Sequence, residues 1–213
     1  MKPLSPGSDV PLVGILRGVT PERVVSVGNT LYEAGIRMIE VPLNSPDPFA
    51  SIAALVACNR SDWIIGAGTV LTVDDARRTQ AAGGHLVVAP NCDPEVIGFC
   101  IAAGLTVMPG FVTPTEAFQA IKAGARQLKL FPAASLGPKY LQALLAVLPR
   151  DARVFPVGGV GAPSIPDWRA AGAAGFGLGS ELFRPEYTLT DIEQRAKTLV
   201  EAARSNQRPL PTS

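Results

Sequence analysis

Short apolar runs alternate with helix-like segments from one end of the chain to the other. The runs are rich in β-branched residues, and their length is typical of strands that are buried on both faces of a parallel sheet. Turn residues separate each run from the segment that follows it. We therefore predict eight strands, at residues 11–16, 37–42, 63–68, 85–90, 105–110, 126–132, 153–159 and 174–180.

Helix start and end signals lie between these runs. The first helix is predicted to open at Thr20-Pro21-Glu22, since threonine suits the N-cap, proline the first helical position and glutamate the first turn. Later helices are predicted from near Pro46, Thr72, Asp93 and Thr113, around 140–147, after the seventh strand, and over 190–205. Five helices end in Ala-Gly, where glycine supplies a left-handed cap: Gly35, Gly83, Gly104, Gly124 and Gly172.

Strict alternation of strands and helices argues for a parallel sheet, and eight units favour closure as an α/β (βα)8 TIM barrel. The length of 213 residues fits one such barrel. We predict a single domain over residues 1–213, with the barrel at about 11–205 and a frayed C-terminal tail. A doubly wound open sheet is the alternative, but it ordinarily carries a glycine fingerprint after its first strand, and "LRGVTPE" is not one.

Composition narrows the class of protein. The chain is 47% hydrophobic and has a net charge of +1, which gives no electrostatic case for binding nucleic acid or an anionic membrane. Gly, Pro or a charged residue interrupts every apolar run before it reaches the length of a membrane span, and the start "MKPLSPGSDVP" lacks the apolar region of a signal peptide. The three cysteines fit no disulfide or zinc spacing. We expect a soluble, cytoplasmic protein.

Polar residues and glycines collect where the predicted strands end. In a barrel of this type the active site lies at the carboxyl ends of the strands. The residues at or just past those ends are Arg17, Glu40, Thr69, Pro90, Asn91, Pro109, Gly110, Lys129, Gly158, Gly159, Gly179 and Ser180.

Two of the charged side chains, those of Lys129 and Glu40, are predicted to point into the barrel. Side chains alternate along a strand, so Lys129 shares a face with Gln127 and Phe131, and Glu40 shares one with Met38. A desolvated lysine has a lowered pKa, and its neutral amine can attack a carbonyl to form a Schiff base. A nearby carboxylate can then move the protons. The alternative is a Lys129–Glu40 ion pair without catalysis.

The last two strand ends have a different character. Gly158-Gly159 and Gly179-Ser180 expose backbone N–H groups just before helices, which suits a phosphate. Phosphate sites after the seventh and eighth strands are frequent in this fold. Glycine also serves tight turns between a strand and a helix. These residues alone are therefore compatible with a phosphate site and with turns that bind nothing.

Several motifs together resemble a known family, the KDPG/KHG aldolases. These are class I aldolases that act on 2-keto-3-deoxy-6-phospho sugar acids. The resemblance covers residues about 12 to 185 and keeps the order of the motifs, which are "IEVPLNS", "IGAGTVL", "VVAPN", "LKLFPA", "VGGV" and "GLGS".

The resemblance implies a trimeric (βα)8 barrel that needs no metal and no organic cofactor, and whose partner is a small phosphorylated keto acid. It implies that Lys129 forms the Schiff base with pyruvate and that Glu40 moves the protons. The residues implied at the pyruvate end are Thr69, Pro90 and Phe131, and those implied at the phosphate are Gly158, Gly159, Gly179 and Ser180.

Three positions indicate which branch of the family the chain resembles. Gluconate-type members carry an arginine where this chain has Asn44, whereas here an arginine stands at position 17, in "GILRGVTP". Together with Val157 in "VGGV", these residues resemble the galactonate-type branch, with Arg17 as the group that binds the keto-acid carboxylate. The gluconate epimer and 4-hydroxy-2-oxoglutarate remain alternative substrates.

Two functions from other classes fit the sequence less well. A metal-dependent sugar-phosphate epimerase needs several His and Asp ligands at strand ends, whereas the single histidine, His85, stands at the start of a strand. A non-catalytic barrel that binds a phosphometabolite would not explain an inward lysine and an inward glutamate. We therefore predict an aldolase without a metal site.

Overall fold

A computed structural model describes residues 11–204. The predicted frayed tail and the first ten residues of the chain lie outside the described residues. Within 11–204, no helix has the length and apolar character that crossing a bilayer requires.

Strands and helices alternate in the predicted order. The strands are β1 Leu12–Ile15, β2 Met38–Pro42, β3 Ile64–Gly68, β4 Leu86–Val88, β5 Thr106–Met108, β6 Gly110–Phe111, β7 Gln127–Leu130, β8 Arg153–Pro156 and β9 Phe176–Leu178. The helices are α1 Pro21–Glu33, α2 Pro48–Ala57, α3 Val73–Ala81, α4 Pro94–Ala102, α5 Pro114–Lys122, α6 Pro138–Leu145, α7 Ile165–Ala170 and α8 Leu189–Arg204. A 3-10 turn, Ala133–Ser135, follows β7.

Local sequence signals account for most of the helix boundaries. The Thr72 hydroxyl accepts the backbone N–H of Asp75 at the start of α3, and Thr113 and Glu116 form a reciprocal capping box at the start of α5. The five glycines predicted to end helices have φ values from +72° to +109°, in the left-handed region. This part of the prediction is confirmed.

Two of the differences from the predicted elements involve proline. Helix α2 begins at Pro48 rather than near Pro46, because Asp47 takes a φ of +37° and serves as the N-cap. The predicted fifth strand is divided into β5 and β6 at Pro109, which has no N–H to donate to a ladder. The carbonyl of Pro109 still accepts the N–H of Lys129, at 2.9 Å.

All the strand pairs within the sheets are parallel, as predicted. One sheet has the order β5-β4-β3-β2-β1-β9 and the other the order β6-β7-β8. A single parallel bridge from Val157 to Gly177 joins the end of β8 to β9. The chain thus has a mixed α/β fold with curled parallel sheets, and the first strand pairs with both the second and the last.

Two apolar layers lie on opposite faces of the strands. The inner cluster contains Val13, Met38, Ile64, Leu86, Val88, Met108 and Phe155. Residues that point to the opposite face of the strands, such as Ile39 and Val41 on β2 and Leu128 and Leu130 on β7, belong to the larger layer under the helices. This alternation leaves Glu40 and Lys129 on the inner face, as the register predicts.

Candidate active site

One cavity of about 540 Å³ opens at the carboxyl ends of the strands. Of the ten residues to which the family resemblance assigns a role, nine line it, namely Arg17, Thr69, Pro90, Lys129, Phe131, Gly158, Gly159, Gly179 and Ser180. The tenth, Glu40, lines a small adjoining cavity that also reaches Lys129 and extends into the inner apolar cluster.

Lys129 and Glu40 are almost wholly removed from solvent. The exposed fraction is 6% for Lys129 and 1% for Glu40. Burial lowers the pKa of the Lys129 amine below its ordinary value; the charge of Glu40 opposes this shift, and that of Arg17 adds to it. Burial raises the pKa of Glu40 from 4.5 to about 7, although the charges of Lys129 and Arg17 favour its ionised form. Glu40 can therefore exchange protons near neutral pH, and a larger share of the Lys129 amine is neutral than it would be in water.

The two groups do not form a closed ion pair. Among the described residues, no carboxylate oxygen lies within 4.0 Å of the Lys129 amine, and Glu40 Oε2 has no hydrogen-bond partner. A structural ion pair would bring the charges into contact to offset the cost of burial. Lys129 and Glu40 instead lie near each other with hydrogen-bonding capacity left over for a third group.

The end of β3 makes room for the Glu40 carboxylate. A Cβ atom on Gly68 would lie 1.3 Å from Glu40 Oε2, so position 68 must be glycine for this side chain to keep its place. The next residue, Thr69, has a φ of +58°, which a β-branched residue rarely adopts. Backbone strain of this kind concentrates at functional sites. The strained residue here also lines the main cavity.

Phe131 and Arg17 flank the lysine in different ways. The amine of Lys129 lies 5.0 Å from the centroid of the Phe131 ring. Arg17 is exposed in the turn after β1, and its Nη1 donates to Asn44 Oδ1 at 2.6 Å. Two of the three residues that indicate which branch of the family the chain resembles thus contact each other. This contact could not be predicted from the sequence, since the two positions are 27 residues apart.

The turns after β8 and β9 form the other end of the cavity. Gly158 and Gly159 have φ values of +92° and +70°, and a Cβ atom on Gly159 would lie 2.6 Å from the Cβ of Ala134. After β9, the carbonyl of Gly179 accepts the N–H groups of both Leu182 and Phe183. Such a turn directs the N–H groups of its first residues outward, which suits an anion.

Sequence reasoning missed one wall of the cavity. Glu181, Arg184 and Pro185 line it, and all three follow β9 in the segment that leads to α8. Arg23 of α1 holds this segment from outside, by hydrogen bonds to the carbonyls of Pro185 and Tyr187. Two charged residues just past the "GLGS" strand end, Glu181 and Arg184, were the available sign of this wall in the sequence. The contacts with α1 that hold the segment cannot be predicted from the sequence.

The described residues offer no ready metal site. Within 11–204, no group of three or more His, Cys, Asp or Glu side chains is placed to hold an ion. The cavity instead combines a buried amine, a buried carboxylate, an exposed guanidinium and two glycine-rich turns. That combination suits covalent chemistry on a carbonyl compound that has an anionic group at each end.

Comparison with known proteins gives consistent matches over most of the chain. The family described as "KDPG and KHG aldolase" matches residues 8–197. A "Probable 2-dehydro-3-deoxy-6-phosphogalactonate aldolase" of Rhizobium meliloti (strain 1021) is 47% identical over 191 residues, which are 90% of each chain. The "2-dehydro-3-deoxy-6-phosphogalactonate aldolase" of Escherichia coli (strain K12) is 44% identical, covering 92% of this chain and 95% of its own. A solved structure described as "Native KDPGal structure" superposes with a TM-score of 0.90 at 44% identity, covering 92% of this chain and 95% of that one.

Proposed function

The chain belongs to the KDPG and KHG aldolase family, and from that premise we infer that it is a class I, Schiff-base aldolase. We propose that it is a carbon–carbon lyase that cleaves 2-dehydro-3-deoxy-6-phospho-D-galactonate to pyruvate and D-glyceraldehyde 3-phosphate. The observation that carries this proposal is the buried, unpaired Lys129 and Glu40 beside a cavity with an arginine and two glycine-rich turns.

The first step joins Lys129 to the substrate. The neutral amine attacks the C2 carbonyl, and the resulting carbinolamine loses water to give a protonated imine. Glu40, whose pKa is raised to about 7, donates the proton that lets the hydroxyl leave. The lowered pKa of Lys129 keeps part of the amine neutral and nucleophilic.

The second step breaks the bond between C3 and C4. Glu40, now a carboxylate, removes the proton of the C4 hydroxyl, and the electron pair of the C3–C4 bond moves toward the positively charged nitrogen of the protonated imine, which leaves a neutral enamine. Glyceraldehyde 3-phosphate leaves, and Glu40 returns the proton to C3 of the enamine. Water then hydrolyses the imine to pyruvate and free Lys129. The imine is the electron sink, so the chemistry calls for no metal and no organic cofactor.

Other residues hold the two ends of the substrate. In this proposal the Arg17 guanidinium binds the C1 carboxylate, and Thr69, Pro90 and Phe131 surround the pyruvate portion. The turns Gly158-Gly159 and Gly179-Ser180 bind the phosphate through backbone N–H groups, as peptide dipoles in such turns favour an anion. Lysine, glutamate and both anion sites then act on one extended molecule.

The configuration at C4 is assigned from Arg17, Asn44 and Val157 and from the two relatives named above, which share the galactonate-type name. A misplaced hydroxyl that faces an unpaired polar group costs roughly 1–3 kcal/mol, which is about ten- to two-hundredfold in kcat/KM. We expect a preference of that size for the galactonate epimer, measured as pyruvate release from both phosphorylated epimers. A tenfold or greater preference for the gluconate epimer would contradict the assignment but would leave Lys129 and Glu40 in their roles.

We further propose that the curled sheets close into a single-domain (βα)8 barrel over residues 11–205 of the 1–213 chain, and that three copies form a homotrimer. Closure is supported by β5 and β6, which are the end strands of the two sheets and are separated by Pro109 alone. The trimer and a cytoplasmic location rest on the family resemblance and the sequence. The molar mass of the native protein in solution tests the trimer directly.

A further inference from the structure

The turn that carries Arg17 is held by the loop after β2. Arg17 Nη1 donates to Asn44 Oδ1 at 2.6 Å, and the N–H of Gly18 donates to Ser45 Oγ at 2.9 Å. Gly18 has a φ of +81°, so the chain turns sharply at this point. Two adjacent side chains of one loop thus accept hydrogen bonds from two adjacent residues of the other.

The loop after β2 is itself fixed to the strands that form the site. The N–H of Leu43 donates to the carbonyl of Gly68 at 2.8 Å, and that of Ser45 donates to the carbonyl of Pro42 at 2.9 Å. Pro42 ends the strand that carries Glu40. The position of the Arg17 guanidinium is therefore set in the same frame as the carboxylate of Glu40.

The acceptor that holds Arg17 is neutral. Among the described residues, no carboxylate lies within 4.0 Å of the Arg17 guanidinium. A guanidinium has five N–H donors, and a bond from Nη1 to Asn44 leaves the edge formed by Nε and Nη2 available for a carboxylate. An amide orients the arginine without neutralising it, whereas an acidic residue at position 44 would pair with it.

We propose that Asn44 is a positioning residue that holds Arg17 for the carboxylate of the keto acid, and that its neutral amide keeps the charge of Arg17 available for that carboxylate. The inference rests on the proposed aldolase function. It assigns a role to the side chain of Asn44, which touches no reacting atom.

The test measures the concentration of pyruvate that gives half-maximal imine formation in the wild type and in single variants. The imine is trapped by reduction with borohydride. Asn44→Ala should raise that concentration roughly three- to tenfold, the effect of one net hydrogen bond, with the same labelling at saturating pyruvate. Asn44→Asp keeps an acceptor at this position but adds a charge, and should raise it at least as much. Asn29→Ala is the matched control, because it removes a similar hydrogen bond outside the cavity, from Arg60 Nη2 to Asn29 Oδ1 at 2.9 Å. This variant should leave the half-saturating pyruvate concentration unchanged.

A purely structural role predicts other results. If Asn44→Asp behaved like the wild type, the acceptor alone would matter and the proposal would be wrong. The proposal would also fail if Asn44→Ala weakened pyruvate binding as much in an Arg17→Ala background as in the wild type, since the effect must pass through Arg17. If the wild type formed no trapped adduct with pyruvate, the proposed aldolase function would be wrong as well. If every variant formed the adduct at the wild-type pyruvate concentration, only the proposed role of Asn44 would be wrong.

Discussion

Burial, more than residue type, gives Lys129 and Glu40 their chemical character. A lysine and a glutamate in water are both charged at neutral pH, and neither is then suited to exchanging protons. In this fold each lies on the inner face of a strand, above an apolar cluster, and the cost of desolvation moves both pKa values toward neutrality. The sequence predicted their inward direction from strand register, because alternation is a strict geometric rule.

Replacing Glu40 with Gln should remove the proton transfers and leave the shape of the site intact. We expect kcat to fall by roughly 10² to 10⁴, the usual contribution of a general acid–base group. The half-saturating concentration of the phosphorylated substrate should change much less, because the binding groups remain. Steady-state kinetics of pyruvate release decide the matter: near-normal turnover would mean that another group or a water carries the proton.

The same variant tests the burial of Glu40 through stability. The pKa of Glu40 rises from 4.5 to about 7 in the folded protein, so between these values the folded state keeps a proton that the unfolded state releases. Relative to Glu40→Gln, the wild type should therefore lose stability as the pH rises through this range, by on the order of 3 kcal/mol. Urea unfolding of both proteins across this range measures the difference. A constant difference would show that the carboxylate is not desolvated.

At the scale of single elements, the ends of strands place the functional groups, and they are also where sequence reasoning was weakest. The eight apolar runs identified the strands because burial on both faces demands continuous apolar residues. The pattern predicted the start of α2 near Pro46, whereas the helix begins at Pro48, since each proline suits a first helical position. It also missed Arg184 and Pro185, which line the cavity in a segment that Arg23 of another element holds.

The end of β3 provides the sharpest test at this scale. Gly68→Ala places a Cβ atom 1.3 Å from the position of Glu40 Oε2, so the carboxylate must move. We expect kcat to fall by roughly 10²-fold or more, as for other losses of a general acid–base group, while circular dichroism shows a folded protein.

Gly98→Ala is the matched control for that change. Gly98 lies in α4, is exposed, and has no atom within 4 Å of an added Cβ. This variant should keep the wild-type kcat and gain about 1 kcal/mol of unfolding free energy from helix propensity. Wild-type turnover in Gly68→Ala would mean that Glu40 does not need its present position.

For the whole molecule, the sequence predicted the alternation of elements and the parallel sheets because both follow from repeated local patterns. How the two sheets meet at Pro109 and at the bridge from Val157 to Gly177 depends on contacts between distant parts of the chain. The wall formed after β9 has the same origin. Local signals thus fixed the elements and the strand ends, and long-range packing decided how the cavity is completed.

The distribution of potential metal ligands over the molecule leads to another expectation. The chain has a single histidine, and no cluster of three or more ligands occurs in residues 11–204. Because the imine accepts the electron pair, cleavage should proceed at the same rate after treatment with EDTA. The assay is pyruvate release before and after the chelator, and activity that vanished and returned with zinc would overturn the Schiff-base account.

The central claim is that Lys129 becomes covalently bonded to the keto acid during turnover. Incubation with pyruvate and borohydride, followed by intact mass measurement, tests it most directly. The account predicts that the wild type gains the mass of one reduced pyruvate adduct per chain and that Lys129→Met gains none. Labelling of Lys129→Met to the wild-type extent, or no labelling of the wild type, would contradict it.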